Sequence, residues 1–293
     1  MSPSAEDPGG DPIALTADDG FALGATRFEP SAPAHANLIV AGATGAPQRF
    51  YRRFAEHARE RGFSTLTLDY RGLGRSAPKR LRGFDMHYLD WARLDLAAAV
   101  QLMTDDIRPL YLVGHSFGGH AFGLLPNVDR VAALYGFGVG AGWHGWMPRR
   151  EQAKVLFLWH VMGPIITRLF GYLRWSFLGM GEDLPLGVYR SWKRWCRHPR
   201  YFFDDPLMAD VVRDFERVRQ PIIAASALDD VWAPPASRDA FMQGYANAPW
   251  RGVDVDPSVS MTGRIDHLGY FRPTAQALWD PALDWLLASG RAR

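Results

Sequence analysis

Short apolar runs alternate with helical segments along this sequence, and this alternation constrains the fold more than any other feature. Six runs have the length and composition of buried strands: residues 37–42, 64–70, 108–115, 130–138, 220–228 and the weaker 251–259. Helical patterns occur between and after them, at residues 49–62, 86–105, 116–125, 236–246 and 274–288. The alternation predicts an α/β fold with a mostly parallel sheet flanked by helices, in which ligands bind beyond the carboxyl ends of the strands.

Two segments stand outside this alternation. Residues 1–11 are acidic and rich in Pro and Gly, without the apolar stretch of a signal peptide, and predict a disordered leader. Residues 140–215 contain six of the eleven tryptophans and predict a helical cap, or lid, inserted over the sheet. The α/β core is then expected to comprise residues 12–139 and 216–290, beginning with a hairpin around Asp18-Asp19-Gly20.

Composition limits the compartment and the kinds of partner. The formal net charge of +2 is too small to indicate a nucleic-acid partner. A single cysteine, Cys196, excludes an internal disulfide and favours a reducing compartment. The most membrane-like run, residues 155–166, is shorter than a bilayer span. We therefore predict a soluble, cytoplasmic protein, and the sequence leaves its oligomeric state open.

The predicted cap is basic as well as aromatic. Residues 140–215 hold eleven Lys and Arg against seven Asp and Glu, with the basic residues concentrated at 189–201. Such a region is compatible with contact to an anionic membrane surface or an acidic ligand. The favoured interpretation is a solvated helix face whose arginines stack on tryptophans. A further apolar helix face, formed by Ile165, Ile166, Leu169, Phe170 and Leu173, is expected to press onto the main domain or a ligand.

The sequence Gly114-His115-Ser116-Phe117-Gly118 lies between a predicted strand and a predicted helix. In that context a serine can occupy a sharp, strained turn, with small residues two positions before and after it to let the chain pass. The turn lifts the hydroxyl into the open. We therefore predict that Ser116 is a nucleophile, although the bare pattern also occurs in structural glycine-rich loops.

A serine nucleophile requires a base and an acid, and both follow Ser116 in a suitable order. The apolar run at 220–228 is followed by Asp229-Asp230 and then a Pro-Pro turn. One of these two carboxylates is expected to face the histidine. His267 is the only histidine after them and lies in a predicted loop between the last strand and the last helix. These residues predict a triad of Ser116, Asp229 or Asp230, and His267.

An oxyanion hole needs two backbone donors. The amide of Phe117, directly after the nucleophile, is the first, and the amide of Ala43, in the loop after residues 37–42, is the second. His115 is expected to be structural. No histidines or carboxylates have metal-ligand spacing, and neither glycine-rich turn (41–47 and 71–78) has the context of a nucleotide site, so no metal or cofactor is predicted.

Five stretches together resemble the α/β-hydrolase superfamily: AGATGAPQRFYRRFA, GFSTLTLDYRGLGRSAP, YLVGHSFGGHAFGLLPN, LDDVWAPP and DHLGYFRP. More narrowly, they are similar to a bacterial group of predicted hydrolases related to serine aminopeptidase-like and monoglyceride lipase-like enzymes. The resemblance covers residues 12–290, including GEDLPLGVYRSWKRWC in the cap. It implies an α/β-hydrolase fold with a Ser–Asp–His triad, an acyl-enzyme and no cofactor.

The resemblance also selects between the two carboxylates. The family's acid commonly lies four residues before a proline in this loop, which favours Asp230 and leaves Asp229 to hydrogen-bond the turn. The sequence departs from the family in the oxyanion loop, where Ala41-Gly42 replaces the common His-Gly. That departure puts the second oxyanion donor, Ala43, in doubt.

The expected activity is hydrolysis of a small-molecule carboxylic ester, or of a thioester or amide, with an apolar acyl or aromatic group. Two alternatives stay open. One is an acyltransferase that uses the same triad, and the other is a ligand-binding relative without catalysis. An intact set of Ser116, Asp230 and His267 argues against the second, since a binding role does not need all three.

Overall fold

Eight strands form one sheet at the centre of the computed structural model, which describes residues 9–290. The strands are β1 (Asp11–Thr16), β2 (Ala22–Phe28), β3 (Ala36–Ala41), β4 (Phe63–Leu68), β5 (Leu110–His115), β6 (Ala133–Phe137), β7 (Ile222–Ala227) and β8 (Trp250–Val255). Their order across the sheet is β1-β2-β4-β3-β5-β6-β7-β8. β2 is antiparallel to β1 and β4, and the neighbouring pairs from β4 to β8 are parallel. The predictions of a mostly parallel sheet and of an amino-terminal hairpin are confirmed.

The five central strands are buried along their whole length, which explains their continuous apolar runs. Every residue of β3, β4, β5, β6 and β7 is buried. Helices cover both faces of a sheet of this kind, so neither face of a central strand needs polar side chains. The covering helices outside the inserted segment are α1 (Arg52–Glu60), α2 (Ala97–Met103), α3 (Phe117–His120), α8 (Pro235–Met242) and α9 (Trp279–Gly290). The predicted fold class is confirmed.

Several predicted boundaries differ from the observed ones. The helix expected at 86–105 begins with a π-helical turn, Trp91–Leu96, that leads into α2. The strand expected at 251–259 stops at Val255, because Pro257 opens a short 3₁₀ turn that Asp256 caps. At the amino terminus, Asp11 pairs with Arg27 at the start of β1 and is not part of a leader. Residues 1–8 of the predicted leader lie outside the described residues.

Between β6 and β7 the chain forms α4 (Arg149–Phe157), α5 (Gly163–Phe170), α6 (Leu186–Trp195) and α7 (Ala209–Phe215). A π-helical turn, Leu158–Met162, joins α4 to α5, so Arg149–Phe170 is one helix of 22 residues. By length and composition this helix can cross a membrane, which the sequence prediction for 155–166 excluded. We call residues 140–215 the inserted segment, and its boundaries stay a prediction.

The expected apolar face of α5 is only partly buried. Ile166 and Leu173 are inside the protein, but Ile165 and Leu169 are exposed, so the prediction is wrong for these two residues. The reason is the helix's orientation. Gly163 packs closely against Tyr189 of α6, where a Cβ on Gly163 would lie 2.5 Å from the tyrosine hydroxyl. That contact turns the side bearing Ile166 inward and the side bearing Ile165 outward.

Candidate functional site

Ser116 occupies a strained turn between β5 and α3. Its φ of 51° and ψ of −113° lie outside the regions that a residue with a Cβ favours. The Ser116 amide donates to the Phe137 carbonyl at 2.9 Å, and the Ser116 carbonyl accepts from the Gly119 amide at 2.9 Å. These bonds hold the turn in a conformation of the kind that exposes a nucleophilic hydroxyl in strand–turn–helix elbows.

The two glycines beside this turn are required by close backbone approach. A Cβ on Gly114 would lie 2.6 Å from the Gly119 nitrogen, and a Cβ on Gly118 would collide with the Ala41 carbonyl oxygen. Any larger residue at either position must displace backbone of the turn or of β3. The spacing seen in the sequence therefore follows from steric exclusion.

His267 links the serine to a buried carboxylate. Its Nε2 is 3.0 Å from Ser116 Oγ, and its Nδ1 is 2.9 Å from Asp230 Oδ2. The ionised carboxylate only accepts hydrogen bonds, so Nδ1 carries the proton and Nε2 accepts from the serine hydroxyl. The His267 side chain is 21% exposed and that of Asp230 is fully buried. Solvent therefore reaches the imidazole but not the carboxylate.

Asp230 stays ionised despite its burial. Burial alone raises the pKa of a carboxyl group, but the charge and hydrogen bond of His267 outweigh it and lower the pKa of Asp230 below its usual value. The amides of Trp232 and Ala233 donate to Oδ1, and the Tyr270 hydroxyl donates to Oδ2 at 2.9 Å. These donors hold the carboxylate in one orientation toward the imidazole.

Asp229 has a different position. Its Oδ2 accepts from the Ile265 amide at 3.0 Å, which ties the loop that carries His267 to the end of β7. Among the contacts of the described residues, Asp230 and not Asp229 meets the imidazole. The geometry thus places Asp230 at the imidazole and Asp229 at the loop backbone, which is the arrangement that the resemblance favoured.

A second hydrogen-bonded chain, absent from the sequence prediction, runs behind the site. The Ala43 amide donates to Tyr51 Oη at 2.7 Å, and Tyr51 Oη lies 2.9 Å from His115 Nδ1. His115 Nε2 is 2.7 Å from the His267 carbonyl oxygen. Because a carbonyl only accepts, Nε2 carries the proton and Nδ1 accepts from the tyrosine hydroxyl. This chain joins the loop after β3 to the backbone of His267.

His115 remains neutral in this position. Burial, followed by the charge of His267, lowers the pKa of His115 to about 3. A neutral ring is also what the hydrogen bonds demand, since one nitrogen donates and the other accepts. His115 therefore positions the backbone around the site and does not face the cavity.

We expect Tyr51→Phe to reduce the free energy of unfolding by about 1–3 kcal/mol, because it leaves the buried Ala43 amide and His115 Nδ1 unpaired. Tyr70→Phe is the matched control. The Tyr70 hydroxyl is buried and has no partner in the described part of the chain, so its removal should be neutral or stabilising. Urea unfolding of the two variants measures the difference, and equal stabilities would contradict the account of Tyr51.

The backbone amides around Ser116 differ in whether they already donate a hydrogen bond. Neither the Phe117 amide nor the Thr44 amide has an acceptor within residues 9–290, whereas the Ala43 amide is engaged by Tyr51 Oη. Thr44 follows Ala43 in the same loop, lines the cavity above Ser116 and contacts the Tyr88 hydroxyl through Oγ1. No motif pointed to Thr44, because a backbone donor leaves no trace in side-chain identity.

Ser116 and His267 open into a cavity of about 110 Å³. The sheet loops contribute Ala43, Thr44 and Trp232, and the inserted segment contributes Trp175, Met180 and Trp192. The lining is mostly apolar. A groove of about 320 Å³ adjoins the cavity and shares Met180 and Trp232 with it. Within the described residues no cluster of three or more His, Cys, Asp or Glu side chains is arranged to hold a metal ion.

The sequence matches a known protein family, and the fold is similar to solved structures. The model of the alpha/beta hydrolase family matches residues 38–286. A soluble variant of monoglyceride lipase from Saccharomyces cerevisiae, solved with a substrate analog, has a TM-score of 0.67 at 14% identity, over 95% of this chain and 96% of that one. No curated protein matches the sequence.

Two further solved structures are similar over nearly their whole length. Est1E from Butyrivibrio proteoclasticus, solved with ferulic acid, has a TM-score of 0.61 at 18% identity and covers 95% of this chain and 99% of its own. The Pyrococcus furiosus esterase Pf2001 has a TM-score of 0.62 at 13% identity, with 96% and 91% covered. Identities this low show a shared fold and leave the substrate of this chain open.

Proposed function

Because the chain belongs to the α/β-hydrolase family, we propose that it is a serine hydrolase of carboxylic esters, with Ser116 as the nucleophile. One observation carries the proposal: the hydrogen-bonded chain from Ser116 Oγ through His267 to buried Asp230, ending at the wall of an apolar cavity. The esterase and lipase names of the structurally similar proteins support ester cleavage in general.

The mechanism follows from the roles that the distances permit. His267 Nε2 removes the proton of Ser116 Oγ as the oxygen attacks the ester carbonyl, and Asp230 stabilises the imidazolium that forms. His267 then delivers that proton to the leaving alkoxide, which departs as the alcohol. Water, activated by His267, attacks the acyl-enzyme, and its proton returns to Ser116 as the acid leaves.

The tetrahedral intermediates need two donors for their oxyanion. The Phe117 amide is the first in this proposal, as the sequence suggested. For the second, the Thr44 amide replaces Ala43, because the Ala43 amide already donates to Tyr51 Oη while the Thr44 amide lacks a described acceptor. The hydrogen bond to Tyr51 then serves to hold the loop that presents Thr44.

The cavity limits the acyl group. Its volume of about 110 Å³ is of the same order as the roughly 150 Å³ cavity that takes up one benzene molecule. A short acyl chain or a single aromatic ring suits the apolar walls formed by Trp175, Trp192 and Trp232. A longer chain has to extend past Met180 and Trp232 into the adjoining groove.

A fluorophosphonate probe tests the proposal directly. Intact-mass measurement should show one adduct on the wild-type protein and none on Ser116→Ala, because the probe reacts with a serine whose proton a neighbouring base removes. The labelled protein should also lose hydrolysis of short-chain aryl esters. A folded wild-type protein that forms no adduct, or an adduct that persists in Ser116→Ala, would refute Ser116 as the nucleophile.

A further inference from the structure

The 22-residue helix Arg149–Phe170 carries a row of exposed apolar side chains. Phe157, Val161, Ile165 and Leu169 recur every four residues, so they lie along one side of the helix, and they are 54%, 41%, 51% and 63% exposed. We call these four residues the apolar row. Contiguous exposed apolar side chains on a folded protein mark a surface that binds something less polar than water.

A basic groove lies between α5 and α6, beside this row. It has a volume of about 540 Å³, and five cationic side chains line it: Arg168, Arg190, Lys193, Arg194 and Arg197. Arg194 pairs with Asp205, but the other four have no carboxylate partner among the residues that the structure describes. Burial, followed by the charge of Arg197, lowers the pKa of Lys193. We call this site the basic groove.

Within residues 140–215, all of which the structure describes, no cation lies over a tryptophan ring, contrary to the sequence interpretation. Arg174 lies over Phe170 and Phe177, and Lys193 lies over Tyr189. Trp159, Trp175 and Trp195 are instead buried inside the protein. The positive charge of the inserted segment is therefore not accounted for by internal cation–π contacts with these tryptophans, and an anionic ligand would balance it.

The apolar row and the basic groove share an edge. Arg168 belongs to the groove and lies on α5 within one helical turn of both Ile165 and Leu169. Lys154 is exposed along the same helix. The acidic residue of the helix, Glu151, is half-buried and pairs with Lys154. The surface thus combines apolar side chains with neighbouring cations.

This combination suits the boundary of a bilayer. Exposed apolar side chains enter the region between head groups and acyl chains, and cations beside them meet lipid phosphates. A lipid surface in which the anions are phosphates matches both halves of the surface at once. The opposite side of the helix packs inward through Val155, Trp159, Gly163 and Ile166, so the folded protein presents this helix along a surface and not across it.

We propose that the apolar row and the basic groove dock this protein onto bilayers that contain anionic phospholipids. The apolar row inserts to the depth of the acyl boundary, and lipid phosphates occupy the basic groove. Phe157 also lines the groove of about 320 Å³ that shares Met180 and Trp232 with the Ser116 cavity. Delivery of an ester from the bilayer along the groove lined by Phe157 rests on the proposed hydrolase function, whereas docking of the protein onto the bilayer does not.

Vesicle sedimentation tests the docking alone when Ser116→Ala is used as the background, because this variant removes hydrolysis. It is mixed with vesicles of phosphatidylcholine, or of phosphatidylcholine with about 30% phosphatidylglycerol, at about 0.1 M and about 0.5 M salt. We expect partitioning to the anionic vesicles to exceed that to neutral vesicles by about tenfold, and the difference to shrink at high salt.

Three double variants locate the surface. Ile165→Ser with Leu169→Ser shortens the apolar row, and Lys193→Gln with Arg197→Gln neutralises half of the unpaired cations of the basic groove. Each should weaken partitioning by about tenfold. The matched control, Ile107→Ser with Arg251→Gln, changes one exposed apolar and one exposed basic residue near the amino ends of the strands. It should bind like the parent.

The outcomes separate the alternatives. Parent protein that stays in the supernatant with anionic vesicles, or variants that bind as well as the parent, would overturn the proposal. Equal loss in the control variant would show nonspecific adsorption and overturn it too. Inorganic phosphate could abolish vesicle binding of the parent while Ile165→Ser with Leu169→Ser still binds vesicles like the parent. That result would assign the basic groove to a free phosphate ligand and overturn the proposal. Far-UV circular dichroism and urea unfolding of each double variant check that its fold is intact, independently of the proposed hydrolase function.

Discussion

Asp230→Asn will lower kcat/KM for ester hydrolysis by about 10⁴-fold, whereas Asp229→Asn will change it by less than about tenfold. The asparagine amide that faces His267 Nδ1 donates where the carboxylate accepted. The imidazole must then carry its proton on Nε2, and Nε2 can no longer accept the proton of Ser116. Loss of the negative charge also removes the stabilisation of the imidazolium.

The neighbouring variant is a strict control, because it makes the same chemical change one residue away. Asn at position 229 keeps a side-chain oxygen that can accept from the Ile265 amide, so the loop bearing His267 stays tied to β7. Steady-state kinetics on one short-chain ester, together with urea unfolding of both variants, provides the comparison. A similar loss of activity in the two variants would mean that the Asp230–His267 contact does not orient the base.

His115 and His120 together will contribute a loss of about 4 kcal/mol from the free energy of unfolding between pH 7 and pH 5, because both buried rings must stay neutral in the folded protein. His115 and His120 are both held inside by burial, which lowers the pKa of each to about 3. His120 Nε2 lies 2.9 Å from the Gly140 carbonyl, so its ring, like that of His115, is a hydrogen-bonded neutral donor.

The sign follows from proton binding in the two states. In the unfolded chain both histidines take up protons below a pKa of 6.5, while in the folded chain they do so only near 3. Between these values the unfolded state binds more protons, so stability decreases as the pH falls, by about 1.4 kcal/mol per pH unit for each histidine. The stabilisation is fully present above pH 6.5.

Urea unfolding of His120→Gln at pH 7, 6 and 5 measures how much His120 contributes to the pH dependence of the free energy of unfolding. We expect the slope of the free energy of unfolding against pH to be smaller than the wild-type slope by about 1 kcal/mol per pH unit, whatever the variant's stability at pH 7. Equal slopes for the wild-type protein and His120→Gln would contradict the neutral, buried state of the His120 ring.

Much of this molecule follows from local sequence patterns. The central strands were predictable because burial on both faces requires continuous apolar runs, and five of them are buried along their whole length. The turn at Ser116 was predictable because Gly114 and Gly118 are sterically required there. The ends of helices and strands were predicted less well, since the π-helical turn at Trp91–Leu96 and the 3₁₀ turn after Asp256 depend on individual hydrogen bonds.

Tertiary contacts decided two features of the site that residue spacing does not predict. Asp229 and Asp230 are equivalent by residue type, and only the placement of the loop at His267 directs one carboxylate to the imidazole and the other to a backbone amide. The engagement of the Ala43 amide depends on a tyrosine eight residues further along the chain. No pattern in the sequence predicts that contact, because it depends on how the 3₁₀ turn Gln48–Tyr51 is placed beside the loop after β3.

The sequence by itself determined the sheet, the turn at Ser116 and the order of the proposed nucleophile, acid and base, because each of these depends on residue type and local spacing. The tertiary structure decided which carboxylate faces His267, which amides around Ser116 have no acceptor among residues 9–290, and which side of the helix Arg149–Phe170 meets solvent. These depend on packing between segments far apart in the chain. Helical periodicity predicts that a face is apolar, but only the neighbours of that face determine whether it is covered.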